Sequence, residues 1–167
     1  MLRRIGQALR PLRIVWITPE LALGPRFQKN RVEVLARAGI GSVVDLRSEA
    51  RDDEAALSQH GLHFYHLPVE DRTAPTQAQL KKVTKWVLGE IAAGRKVYVH
   101  CQSGIGRSPC LATAILMAMG YSLSDAYNAV RRQRPWASLS SVQWQALERF
   151  EQSLRPPPSP DENGLAN

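Results

Sequence analysis

The chain carries only two cysteines in 167 residues. They cannot build a disulfide framework, so a stapled secreted scaffold is excluded and a reducing, cytoplasmic setting is expected. There is no Cys-x-x-Cys, no His-Glu-x-x-His and no Gly-Lys-Ser/Thr, which removes the common zinc and nucleotide-triphosphate signatures. His60, His63 and His66 are spaced by three, but the residues between them read as turn and strand, where side chains diverge. No metal and no cofactor is expected. The longest uncharged stretch, 108–124, contains Ser, Thr, Pro and Gly, so it reads as a buried helix and a turn and not as a membrane span. Basic residues are not interleaved with aromatics. The cluster Arg131, Arg132 and Arg134 reads as a solvated helix end, and no nucleic-acid partner is expected.

Hydrophobic residues make up 44% and charged residues 22% of the chain, the proportions of a globular domain able to form a core. The formal net charge of +7 favours anionic partners. Much of that excess lies in a basic N-terminal segment, 1–12, whose arginines are Arg3, Arg4 and Arg10. It opens like a signal peptide, but Arg10, Pro11 and Arg13 interrupt any apolar h-region. A short helix there would set Leu2, Ile5, Leu9 and Leu12 on one face and arginines on the other, suited either to an anionic membrane surface or to docking on the domain. The tail, 155–167, is rich in Pro and polar residues and is expected to be disordered.

Between them, 13–154 alternates in period. Strands are expected at 13–18, extended by 21–23, and at 42–46, 63–67 and 96–100. Helices are expected at 27–38, 51–60, 76–91, 108–119, 124–134 and 141–154, with Thr76 as a cap and 68–75 as a polar loop. This pattern predicts an α/β fold with a mostly parallel central sheet flanked by helices.

The chemistry concentrates in Val97 to Pro109, V-Y-V-H-C-Q-S-G-I-G-R-S-P. A buried strand runs into a glycine-containing loop that opens a helix. In open α/β sheets, ligands sit beyond the carboxyl ends of the strands. A helix N-terminus there offers unpaired N–H groups and a positive dipole end to an anion. Gly104 and Gly106 let the loop curl so that its N–H groups point inward. Cys101 begins the loop and Arg107 ends it, with five residues between. The dipole, the N–H groups and the guanidinium all favour a thiolate. The arginine fork matches two oxygens of a phosphate. A thiol nucleophile in a phosphate cradle implies attack of sulfur on phosphorus. Asp45, at the end of the strand 42–46, is expected to hold an arginine such as Arg107 or to cap a turn.

The segment H-C-Q-S-G-I-G-R-S resembles the H-C-x5-R-S/T loop of the cysteine-dependent protein phosphatases, and its late position is similar to the dual-specificity branch, small atypical type. The resemblance covers about Trp16 to Leu154. It implies that Cys101 is the nucleophile and that Arg107 binds phosphate and stabilises the transition state. The N–H groups of Gln102, Ser103, Gly104, Ile105, Gly106 and Arg107 would complete the cradle. Ser108 would ease departure of the thiolate, and His100 would support it through local hydrogen bonds. The family's proton donor is an Asp on an upstream loop. Asp71 in P-V-E-D-R-T-A-P takes that place, with Glu70 beside it as the alternative, although no Trp-Pro precedes it. Asp52 and Asp53 fit helix N-terminal electrostatics instead. Gln143, the tenth residue of the closing R-P-W-A-S-L-S-S-V-Q, is expected to position water or line the pocket, or else to be an exposed helix residue. Cys110 is expected to be a buried structural thiol, with a redox partner of Cys101 as the alternative.

The implied activity is a metal-independent phosphomonoester hydrolase, foremost a protein-tyrosine or dual-specificity phosphatase with a phosphorylated protein as partner. A lipid or small-molecule phosphatase, of the phosphoinositide or phosphatidylglycerophosphate type, is the alternative. The uncharged interior of the loop weighs against it, because lipid-directed members often carry Lys or Arg there. A sulfurtransferase, an arsenate reductase and a non-catalytic phosphate-binding module rank lower.

Overall fold

A computed structural model describes residues 11–155. Arg3, Arg4 and Arg10, the expected N-terminal helix and nearly all of the tail lie outside the described residues. Five strands, β1 (Val15–Trp16), β2 (Leu21–Gly24), β3 (Ile40–Arg47), β4 (His63–Val69) and β5 (Lys96–His100), form one sheet in the order β1-β2-β5-β3-β4. Only the β1·β2 pair is antiparallel. The others run parallel, with Gly24, His100 and Asp45 in register at their carboxyl ends. The expected mostly parallel sheet is the one observed.

Strands β3 and β5 read as near-continuous apolar runs because both their faces are covered. Alternation sorts their side chains into two cores. Leu21, Leu23, Val44, Leu46, Val97 and Val99 face α3 (Gln77–Ala92), α4 (Arg107–Ala118), α5 (Leu123–Gln133) and α6 (Ser141–Leu154). Ala22, Val43 and Tyr98 face α1 (Val32–Arg37) and α2 (Glu54–Gln59). Helix α4 is buried from Arg107 through Met117, which explains why its sequence shows no polar face. Thr76 and Ser140 each build a capping box, on Gln79 and Gln143, fixing where α3 and α6 begin.

Several expected boundaries shift for local reasons. The expected strand 13–18 with its extension is a hairpin: the Thr18 hydroxyl accepts the Glu20 and Leu21 N–H groups and turns the chain. The expected helix 27–38 is a 3-10 turn at Lys29–Arg31 followed by the short α1. The helix expected from 51 starts at Glu54, because Asp53 accepts from the Ala56 N–H as its cap. Strand β4 continues through Pro68 to Val69. A proline is tolerated there because β4 is the sheet edge. The polar loop therefore shrinks to 70–75.

Candidate active site

The loop 101–106 lies between the carboxyl end of the central strand β5 and the N-terminus of α4. Cys101 is buried, and its Sγ accepts the Gly104 N–H at 3.2 Å and lies 3.4 Å from the Ser108 hydroxyl. The Gly104 N–H stabilises charge on sulfur, and the Ser108 hydroxyl does so when it donates. Gly104 has φ +71°, and a Cβ there would stand 2.6 Å from Arg134 Nη2 and 2.8 Å from the Gly24 carbonyl oxygen. Only glycine meets both constraints.

Arg107 is 4% exposed, and its five N–H groups can be assigned. Nη1 donates to Glu49 Oε2 at 2.8 Å and to the Val69 carbonyl at 2.9 Å. Nη2 donates once, to Glu49 Oε1 at 2.7 Å. Nε is buried and has no hydrogen-bond partner among the described residues. One edge of the guanidinium is thus anchored, while the Nε–H and the second Nη2–H remain as a parallel pair. Two parallel N–H donors are the fork that a phosphate accepts. Hydrogen bonding to Arg107 holds the Glu49 carboxyl well below its ordinary value, at about 2. The same bond keeps the guanidinium charged.

Among the described residues, Glu49 and Asp71 are the carboxylates within 4.0 Å of Arg107. Asp71 Oδ1 lies 3.7 Å from the unpartnered Nε, and its side chain is 79% exposed. The structure thus brings Asp71 to the fork and does not bring Glu70. The Asp71 loop is held by α6. The Ser140 hydroxyl donates to the Arg72 carbonyl at 2.7 Å, and Gln143 Nε2 donates to the Thr73 carbonyl at 3.0 Å. Gln143 Oε1 accepts the Ser140 N–H, and the Ser138 N–H donates to the Ile105 carbonyl. Gln143 is 1% exposed, so the exposed-helix alternative is wrong. Its amide joins the acid loop to the α6 cap and packs beside Gly106.

Beneath the loop lies a buried ionic cluster. His100 Nε2 is 2.6 Å from Asp52 Oδ2, and Nδ1 is 3.3 Å from the Cys101 carbonyl. Arg47 bridges Asp45 and Asp52, and Asp45 also accepts the Arg47 and Asp52 N–H groups. Two expectations are corrected here. Asp45 holds Arg47 and not Arg107, because its carboxylate is saturated by donors two and seven residues ahead. Asp52 is a buried partner of His100, while Asp53 alone caps α2. Burial works to raise the Asp45 carboxyl, but bonding from Arg47 and the nearby His100 outweigh it and hold it below the usual range. The donor atoms of Asp45, Asp52 and His100 lie within 4.8 Å of one another. The Arg47 guanidinium already neutralises both carboxylates, so this is an ion-pair network more than a cation site.

Arg134 also departs from expectation. It is 4% exposed and donates to the Gly104 and Ser103 carbonyls, clamping the loop from behind. Its neighbours Arg131 and Arg132 are exposed as expected. Cys110 lies wholly in the core, and burial pushes its thiol up to about 12, which suits an inert structural cysteine. Glu49 and the structural role of Arg134 carried no signal in the sequence, since both act across long separations and both sit in charged, apparently solvated stretches.

Residues 23–153 match the family described as dual specificity phosphatase, catalytic domain. Human dual specificity phosphatase 28 is 29% identical over 155 residues, spanning 92% of this chain and 86% of the relative. Human dual specificity protein phosphatase 5 is 30% identical over 144 residues, 85% of this chain but only 36% of the relative, so the chain spans about a third of that protein. Among solved structures, Tk-PTP in its active form superposes with a TM-score of 0.78 at 30% identity, over 83% of this chain and 96% of that one. PTPMT1 in complex with PI(5)P shares the fold, with a TM-score of 0.79 at 24% identity over 84% and 95% of the two chains.

Proposed function

Because the chain belongs to the dual specificity phosphatase catalytic-domain family, we propose that it is a metal-independent protein-tyrosine or dual-specificity phosphatase working through a phosphocysteine. One observation carries the reading: two N–H groups of Arg107 remain after Glu49 and Val69 take the other three, at the end of the loop that Cys101 begins, and Arg107 feels the charge of Cys101. In the first step Sγ attacks phosphorus as the phosphate–oxygen bond breaks, and Asp71 gives the departing oxygen its proton. In the second, the Asp71 carboxylate takes a proton from water, whose oxygen attacks phosphorus. The sulfur–phosphorus bond breaks with the Ser108 hydroxyl donating to the departing thiolate, and inorganic phosphate leaves. Arg107 and the loop N–H groups stabilise the phosphoryl oxygens in both transition states.

The acid loop 70–75 is short and Asp71 is largely exposed. This supports a shallow pocket that admits phosphoserine and phosphothreonine as well as phosphotyrosine. The loop interior, Gln102 to Gly106, carries no charge, which favours peptide over lipid substrates. Two free, buried cysteines suit a reducing compartment such as the cytoplasm, and among the described residues no helix is long and apolar enough to cross a membrane. The test is phosphate release in EDTA from a phosphotyrosine peptide, a phosphothreonine peptide and phosphatidylglycerophosphate. Turnover led by the peptides and abolished by Cys101→Ser is expected. Turnover confined to the lipid, or surviving in Cys101→Ser, would overturn the reading.

A further inference from the structure

The acid loop is fastened at its two ends, by β4 before Glu70 and by the Thr76 cap of α3 after Pro75. Its middle is held from α6, and the holding groups are the two residues of the α6 capping box. A capping box uses oxygen acceptors only: Ser140 Oγ takes the Gln143 N–H, and Gln143 Oε1 takes the Ser140 N–H. The Ser140 O–H and the Gln143 side-chain N–H are spare to that task. Both are aimed at the acid loop, at the successive carbonyls of Arg72 and Thr73. The fold does not need them to seat α6, since Leu147 and Phe150 lie in the core and Gln77 Nε2 donates to the Ala146 carbonyl at 2.9 Å. Among the described residues, Arg72 is the one non-glycine with a left-handed backbone, at φ +62°. Such a conformation persists where the surroundings impose it, and it clusters at active sites. The Arg72 N–H donates to Asp71 Oδ1 at 3.0 Å, and the same oxygen lies 3.7 Å from Arg107 Nε.

We propose that Ser140, acting with Gln143, is a positioning residue for the proton donor: the α6 cap holds the left-handed turn at Arg72 and so keeps the Asp71 carboxyl beside Arg107. The inference rests on the reading of Asp71 as the general acid. The chain of contacts is short. The Ser140 hydroxyl fixes the Arg72 carbonyl, and the Arg72 N–H fixes Asp71 Oδ1. The same stretch also reaches the phosphate loop, through the Ser138 N–H on the Ile105 carbonyl at 3.0 Å. Residues 138–143 therefore tie the acid loop and the phosphate cradle to one helix end. The separation of proton donor and phosphate is then set by hydrogen bonds to a packed helix. The Asp71 side chain is 79% exposed, so packing does little to orient it. A proton donor must lie within hydrogen-bond reach of the departing oxygen, and a small displacement of its loop breaks that contact.

The experiment measures kcat/KM in EDTA for aryl phosphates whose leaving phenols range from strongly to weakly acidic. The readout is the slope of log kcat/KM against phenol pKa, which steepens when the proton donor is lost. It compares the wild type, Ser140→Gly, Ser140→Thr, Asp71→Asn and the Ser140→Gly/Asp71→Asn double variant. Gly caps a helix nearly as well as Ser but has no hydroxyl, whereas Thr both caps and donates. Ser140→Gly is expected to lose roughly tenfold on the ester of the weakest phenol and under about twofold on that of the strongest, in the direction of Asp71→Asn. Ser140→Thr should restore the wild-type slope. In the Asp71→Asn background, Ser140→Gly should steepen the slope no further, because it acts through Asp71. A smaller folded fraction lowers every ester alike, so instability alone does not imitate a steeper slope. A wild-type slope in Ser140→Gly would overturn the proposal. So would a Thr variant no better than the Gly variant, or a full additional loss in the double variant. If Asp71→Asn is steep in the same panel, these results refute the positioning role alone. A wild-type slope in Asp71→Asn refutes the acid reading and the proposal with it.

Discussion

Replacing Glu49 by Gln tests how the arginine is held. Glu49 bonds both terminal nitrogens of Arg107, at 2.8 and 2.7 Å, and the other anchor is the Val69 carbonyl at 2.9 Å. Hydrogen bonds to charged groups contribute about 1.5–3 kcal/mol. The Glu49 side chain is 44% exposed, so solvent screening lowers the figure to about 1–2 kcal/mol. If that energy positions the fork in the transition state, kcat/KM falls roughly 5- to 30-fold. The assay is steady-state hydrolysis of an aryl phosphate in EDTA from pH 5 to 8. The Glu49 carboxyl is depressed to about 2, so its contribution is complete above its ordinary value and fades only as pH drops through about 2. The ratio of variant to wild type should therefore stay flat across the assay window. A variant as active as the wild type would refute the anchoring. A faster one would show that Glu49 competes with phosphate for the guanidinium.

Asp71→Asn should slow release by roughly 100-fold or more for phosphotyrosine peptides and far less for an aryl phosphate with a good leaving group, with unchanged thermal stability because the residue is exposed. Equal losses on both substrates would remove it as the acid. Gly104→Ala puts a Cβ against the Gly24 carbonyl in a left-handed conformation and should cost about 2 kcal/mol or more in chemical denaturation, with loss of phosphate binding. An unchanged denaturation midpoint would contradict the geometry. Asp52→Asn keeps the shape but removes the charge facing His100 and Arg47. It should destabilise the fold by on the order of 2 kcal/mol. An unchanged midpoint of chemical denaturation would contradict the buried ion-pair network.

The sheet was legible because β3 and β5 are apolar runs between turns. Boundaries failed where one side chain overrides periodicity. Thr18 folds a run of β-formers into a hairpin, and Asp53 delays α2 by capping it. The candidate reacting groups were legible because each lies in one short stretch of sequence, Cys101 to Arg107 in the loop and Asp71 thirty positions before it. Their supports were not. Glu49 reaches Arg107 across 58 positions, and Arg134 reaches Gly104 across 30. Asp52 meets His100 only because β3 and β5 are neighbours. Such contacts leave no spacing to read, and a buried arginine looks like a solvated one until the fold closes over it.

The central claim is that the phosphoryl group passes through the Cys101 sulfur. The most direct measurement is rapid acid quench of Ser108→Ala with a phosphotyrosine peptide in EDTA, followed by mass spectrometry of the peptide that contains Cys101. A phosphate adduct on Cys101 that builds within one turnover, and is missing from Cys101→Ser, is predicted. Phosphate release at wild-type rate with no adduct, or an adduct on another residue, would contradict the account.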